Sequence, residues 1–436
     1  MFHYYLVLGV RNLLRNPMLT ALMVLTLAVG VAASISTLTI LHIMSGNPIP
    51  HKSSRLLAPL VDNGPAKSYV PGSPPEDKQT AYIDASNWRR TAPVERRTAI
   101  YDVNAAIEGL RADLPVEQVG TLAVDSDYFS MFEVPFLYGN AWSRTEDGNR
   151  SRVIVLSRNK SEKLFGRDNP VGKTLHMLGQ DFRVVGVLDA WNPIPRYTRL
   201  INSSGGQFSG EDDAFIPFET AIDLELYNNA STSCHGDDRK PGYAGFLESE
   251  CTWIQFWFET GDRAALKNYL DGYVAEQRKL GRLMRQAPAQ LFDVMEWMRY
   301  LEVVSNDTRL AVWLSFGFLL LCLVNTTGLL LAKFSARAAE VGVRRALGAT
   351  RGAIFRQFLV EAGVVGLAGG IVGLILSLGS LALIARQSKS LSVVTQMDWP
   401  MLGLTFLLAI VASVLAGLLP TWRAAQVTPA LQLKSQ

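Results

Sequence analysis

Four stretches of this chain are apolar for long enough to cross a bilayer: Leu19 to Met44, Leu310 to Ala332, Phe358 to Ile384 and Met401 to Leu419. A helix needs roughly 20 predominantly apolar residues to span the hydrocarbon layer. The first run is too long for a signal-peptide core and its later residues lack a cleavage site, so it reads as a retained anchor. The interval from about Gly46 to Thr308 is patterned differently. Strand-like runs at Thr121–Val124, Arg152–Leu156, Thr174–Met177 and Asp181–Leu188 alternate with short helical segments such as Ser157–Phe165, which predicts an α+β domain. From Asp189 to about Gly242 the chain is richer in Gly, Ser, Asn, Asp and Pro, with Ser203–Gly206 expected as an exposed loop. A strand at Cys251–Phe258 and a helix at Arg263–Leu283 follow, and Phe292–Asp307 is expected to run as a helix into the second span. A second subdomain is expected over roughly residues 190–300.

Composition agrees with this division. Apolar residues make up 48% of the chain and mean hydropathy is +0.14, yet 19% of residues are charged. The expected fold is an α-helical membrane protein with four transmembrane helices and a large α+β extracytoplasmic domain inserted between helices 1 and 2. Its expected parts are an interfacial helix (1–16), span one (17–45), the outer domain (46–308), span two (309–333), a connecting segment (334–356), span three (357–385), a short loop (386–399), span four (400–420) and a tail (421–436). Phe2, Tyr5, Leu6, Val10, Leu13 and Leu14 with Arg11 and Arg15 suit the interfacial helix, an extension of span one being the alternative. Basic residues fix the orientation. Arg11 and Arg15, the group Lys333 to Arg356, and Arg423 place both termini and the second loop in the cytoplasm, whereas the loop between spans three and four holds only Arg386 and Lys389.

"LFGRDNPVGKT", Leu164 to Thr174, looks like a nucleotide-binding loop. A P-loop needs four residues between its first glycine and the Gly-Lys-Ser/Thr, with a strand before it and a helix after. Here five residues separate Gly166 from Gly172, a helix precedes the loop and a strand follows it. The orientation also places it outside, in a compartment without ATP. A turn carrying a surface lysine is the expected structure. Cys234 and Cys251 share that outer compartment, where a disulfide is permitted, and a bridge between them is expected to contribute on the order of 3 kcal/mol. Two free, packed cysteines are the alternative. The histidines are scattered without paired ligand spacing, so no metal site is expected. The chain offers neither a Gly-x-Ser-x-Gly elbow nor a His-Glu-x-x-His pair, which argues against an enzyme in the outer domain.

The most specific signal is "SARAAEVGVRRALGATRGAIFRQF", Ser335 to Phe358. Apolar Val341, Val343, Ala346 and Leu347 among Arg337, Glu340, Arg344 and Arg345 suit a short interfacial helix, which Gly348 ends before Thr350 caps the next. On these features alone, a solvated basic connector that merely fixes orientation is the favoured reading. Arg337, Glu340, Gly342, Arg344, Arg345, Ala346, Leu347, Gly348 and Ala349 nevertheless match the segment joining spans two and three of MacB/FtsX-type ABC transporter permeases, with Val341 and Val343 in place of the usual isoleucines. The resemblance extends to Asn325, Glu361, the glycines Gly366, Gly369, Gly370 and Gly373, and the tail "LPTWRAAQVTPALQL". "LFGRDNPVGKTLHMLGQDFRVVGVL" and "DSDYFSMFEVPFLYGN" resemble parts of the MacB-like periplasmic core domain, although Asn140 stands where a basic residue is common.

That resemblance implies a permease subunit of the bacterial inner membrane with a periplasmic outer domain and no cofactor of its own. ATP and magnesium would be bound by a partner ATPase docking near Ser335–Gly348, with a second permease subunit, the same or similar, alongside. Export in a tripartite efflux system, with a periplasmic adaptor and an outer-membrane channel, is the leading expectation. Lipoprotein release and signalling to a cell-wall hydrolase are the alternatives. Membrane lipid is an expected partner and nucleic acid is not. Glu361 is expected to reach Arg356 or interfacial water, and the glycines suit either packing within the chain or a dimer interface.

Overall fold

The computed structural model describes residues 16–387, except 68, 109–115, 202–206, 209–210 and 236–240, together with scattered residues between Gly403 and Trp422. The interfacial helix up to residue 15, the Ser203–Gly206 loop, the loop between spans three and four, most of span four and nearly all of the tail lie outside the described residues. The chain forms two compact units, one of Gly46–Val303 and one of Met1–Ser45 with Val304–Gln436.

The outer unit is built on a mixed sheet. Its strands are β1 (Leu56–Leu60), β2 (Thr80–Ala81), β3 (Arg96–Ile107), β4 (Glu117–Val124), β5 (Phe136–Gly139), β6 (Val153–Leu156), β7 (Thr174–Met177), β8 (Gln180–Leu188), β9 (Ala214–Pro217), β10 (Thr252–Glu259) and β11 (Gln290–Asp293). They run in the order β11-β1-β10-β3-β4-β9-β6-β8-β5, with β2 attached to β10 and β7 to β3 and β8. The β4–β9 and β6–β8 pairs are parallel.

Strand β10 shows why the sequence reads as it does. It is buried along its whole length because helices cover both faces of the sheet, so its apolar run does not alternate with polar residues. Phe256 meets Trp88 edge to face at 5.4 Å, while Trp257 meets Phe132 at 5.9 Å in a separate apolar cluster. Helix Arg263–Lys279 buries Leu266, Leu270 and Val274, the spacing of one helical face. Because β10 lies between β1 and β3, a single sheet takes strands from both sides of residue 190. The expected parting into two subdomains there does not appear in it.

One expected element differs. Phe292 lies in β11, and Asp293 then caps a separate helix, Val294–Tyr300, through a reciprocal arrangement with Glu296. Glu302 adopts a positive φ of 51°, and Ser305 caps the next helix by accepting the Thr308 N–H. Two caps, not one continuous helix, therefore occupy Phe292–Asp307.

In the membrane unit, Pro17–Ser45, Asn306–Ser335 and Arg351–Ile384 are long and apolar enough to cross a bilayer. The short helix Ala338–Ala346 joins the second to the third.

Candidate functional site

The segment from Ser335 to Gly348 is anchored on one side and open on the other. Val341 is buried with Met23, Leu330, Phe334, Ile354 and Phe358, and the Phe334 and Phe358 rings stack with centroids 4.3 Å apart. Gly342 is also buried. Gly348 ends the helix at a φ of 98°, a conformation that costs glycine least, and its N–H donates to the Arg345 carbonyl at 3.1 Å. The Ala349 N–H donates to the Arg344 carbonyl, and Thr350 Oγ1 accepts the Ala353 N–H at 3.3 Å, so the expected stop and cap are both formed.

Charge fixes the segment further. Glu361 is fully buried on span three, with Lys333 Nζ 2.8 Å from one carboxylate oxygen and Arg337 Nη1 3.1 Å from the other. These are not the partners expected. Arg356 lies five residues before Glu361 on the same helix, whereas helical neighbours are three or four apart, and its Nε instead donates to the Gly352 carbonyl. One turn earlier on that face, Gln357 Oε1 accepts from Arg344 Nη1 at 3.0 Å, and Arg344 also pairs with Glu340. The connecting segment is thus tied to span three by Arg337–Glu361 and Arg344–Gln357. Burying a carboxylate is strongly unfavourable without such partners, so the three ions stand or fall together.

The opposite face carries Ala339, Val343, Ala346 and Leu347 at helical spacing, all exposed. Val343 is 56% exposed and Leu347 83%. An apolar strip beside the Glu340–Arg344 pair can take a protein surface but has no group suited to bond-breaking chemistry.

Higher in the unit, a β-carbon on Gly369 would lie 2.7 Å from Leu27 Cδ2, and one on Gly373 would lie 2.9 Å from the Ala28 carbonyl. These two glycines therefore bring span three against span one within the chain. Gly366 and Gly370 are buried on the same helix. Asn325, expected as a packing residue, is exposed on span two: the buried stripe Cys322, Thr326, Leu330 and Phe334 leaves it outside with Leu321 and Val324.

Two sets of residues escaped the sequence reading. Lys333, counted only among the basic residues that fix orientation, is one as the partner of Glu361, signalled by a lysine at the end of an apolar run. The other is a group of hydroxyls: Ser36 bonds Ser377 at 3.1 Å and Ser380 at 2.9 Å, and Thr37 bonds Ser315 at 2.8 Å. Their signal was Ser34, Ser36, Thr37 and Thr39 crowded into one span.

In the outer unit, the Gly172 and Lys173 N–H groups donate to the Val184 and Pro170 carbonyls, so they are not free to cradle phosphate. Lys173 lies over the Phe165 ring at 5.4 Å, and Leu178-Gly179, both at positive φ, turn β7 into β8. Cys234 is disulfide-bonded to Cys251 beside β10.

The profile of the MacB-like periplasmic core domain matches residues 20–245, and that of the FtsX-like permease C-terminal region matches residues 312–429. The pyoverdine export ATP-binding/permease protein PvdT of Pseudomonas syringae pv. syringae is 24% identical over 313 residues, 72% of this chain and 42% of that protein. The macrolide export ATP-binding/permease protein MacB of Escherichia coli K12 is 23% identical over 435 residues, 98% of this chain and 60% of that protein. The chain spans about half the length of the curated relatives it matches. The crystal structure of the periplasmic region of MacB from Actinobacillus actinomycetemcomitans is 12% identical with a TM-score of 0.37, covering 58% of this chain and 95% of that one.

Proposed function

We propose that this chain, which belongs to the MacB/FtsX-type family of ABC transporter permeases, couples ATP hydrolysis by a partner ATPase to movement of its outer domain. The observation that carries the reading is the two-sided segment Ala338–Ala346, with Val341 and Arg337 locked to the spans and Val343 and Leu347 exposed. An ATPase that closes on ATP presses on the exposed face, and the Arg337–Glu361–Lys333 ions pass the displacement to spans two and three. ATP and magnesium belong to that partner. Asn325 suits contact with a second permease subunit, since an amide facing hydrocarbon calls for a polar partner.

The chain sits in the cytoplasmic membrane with both termini inside and residues 46–303 in the periplasm. The work done is export from the periplasm, with an adaptor and an outer-membrane channel completing the path, a reading supported by relatives named for pyoverdine and macrolide export. Charge reversal at Arg344 and Arg345 together with Gly348→Pro tests the coupling in reconstituted vesicles. The expected result is an inserted protein whose partner hydrolyses ATP without driving export. Unchanged coupling would remove the segment from the mechanism.

A further inference from the structure

The loop that follows β1 folds back over a single arginine as a strap with two arms. On the first arm, Asp62 accepts from Arg285 Nη1 at 3.1 Å and the Pro65 carbonyl accepts from its Nε at 2.9 Å. Gly64 passes so close to the guanidinium that no β-carbon would fit there. On the second arm, Glu76 pairs with Arg285 Nη2 and the Tyr69 ring faces the guanidinium at 5.2 Å. Enclosed in this way, the Arg285 side chain is only 3% exposed.

The second arm depends on a residue beside β10. Asp77, its side chain 4% exposed, lies 2.7 Å from His235 Nε2, and Glu76 lies 3.7 Å from His235 Nδ1. The Glu76 carboxylate is half exposed, so water screens its pair with Arg285 and that pair holds the arm weakly. Lys78, over the Tyr300 ring at 5.5 Å, is exposed as well. His235 directly follows Cys234, which is bonded to Cys251 at the foot of β10. The disulfide is therefore the covalent tie that keeps His235 against the buried Asp77.

We propose that the Cys234–Cys251 disulfide is a redox latch on this strap. Oxidised, it holds His235 on Asp77 and keeps Arg285 covered; reduced by a dithiol, it lets the second arm move off the guanidinium. One thiolate of the dithiol attacks the sulfur of Cys234, the less buried of the two residues, and the electron pair of the broken S–S bond leaves on Cys251, which takes up a proton. The second thiolate then displaces Cys234, so the dithiol departs as a disulfide and both cysteines remain as thiols. The first arm stays in place through Asp62 and the Pro65 carbonyl. The redox state of the compartment thus sets which surface the outer unit presents at the end of β1. The latch is independent of the ATPase reading, because it uses no residue of the membrane unit.

Phenylglyoxal labelling of arginine, read by peptide mass spectrometry on the full chain in nanodiscs, tests the latch. The oxidised chain is compared with one treated with dithiothreitol and then iodoacetamide, which caps the freed thiols. Arg285 is expected to label at least about tenfold faster after reduction, the factor that loss of one hydrogen bond to a charged group supports. Arg199, equally buried but held by Asp102 and Asp212, is expected to stay unlabelled and reports that the domain remains folded. His235→Ala with the disulfide intact is expected to label Arg285 as the reduced parent does. A disulfide that dithiothreitol leaves intact in the folded chain, Arg285 labelling unchanged by reduction or by His235→Ala, or a rise on reduction shared by Arg199 would each overturn the proposal.

Discussion

The outer domain and the membrane unit bury charge by different rules. In the outer domain buried ions are distributed: Arg89, Arg199, Arg282 and Arg285 each find carboxylates at separate places around a sheet covered on both faces. In the membrane unit one carboxylate, Glu361, serves two cations, and the other buried polar contacts described there are chiefly between hydroxyls. A domain surrounded by water can lose one of many pairs and remain folded. Within a membrane the alternative partners are fewer, so the cost falls on a single position.

Glu361→Gln is expected to have the largest effect. It takes away the buried carboxylate that Lys333 and Arg337 share, and breaking a buried ion pair typically costs about 3–5 kcal/mol. The expected result is loss of the folded membrane unit, read as sharply reduced accumulation in the membrane. Normal accumulation would show that the ions are dispensable. In the outer domain, Cys251→Ala removes the tie to Cys234, 17 residues away in sequence. The expected cost is about 3 kcal/mol, seen as a lower melting temperature and, in the parent chain, as a matching drop on adding reductant. Gly373→Ala forces a methyl group against the Ala28 carbonyl. A cost of about 1–3 kcal/mol is expected, and an unchanged melting temperature would mean that spans one and three do not approach there.

The smallest effect concerns pH. The Asp147 pKa rises from 3.8 to about 7 in the folded state, so the native protein holds a proton there that the unfolded chain releases. Stability from this group is present below the unfolded value and falls as pH rises through about 7. Asp147→Asn is therefore expected to gain melting temperature over the parent as pH increases from 4 to 8, and a constant gap would contradict the titration.

Sequence periodicity revealed most elements that depend on local chemistry. The helix Arg158–Phe165, the β7–β8 turn, the Gly348 stop and the Thr350 cap were legible because each follows from residues within a few positions of one another. The position of β10 between β1 and β3 was not, since strand order is set by contacts between residues far apart in sequence. The break after Tyr300 was masked by apolar residues that serve a strand and a helix equally well. At the candidate site the motif residues could be read from the segment itself, but Lys333 as partner of Glu361 required knowing which faces of two helices meet.

We propose that the face bearing Val343 and Leu347 receives an ATPase. Quantitative mass spectrometry of proteins co-purifying with the tagged chain from native membranes, in mild detergent, tests it directly. An ABC ATPase is expected with the parent chain, reduced at least about tenfold by Leu347→Asp, as for removal of an interface anchor, while other membrane partners are retained. Equal recovery of the ATPase with the variant, or none with the parent in a sample that keeps other complexes intact, would contradict the account.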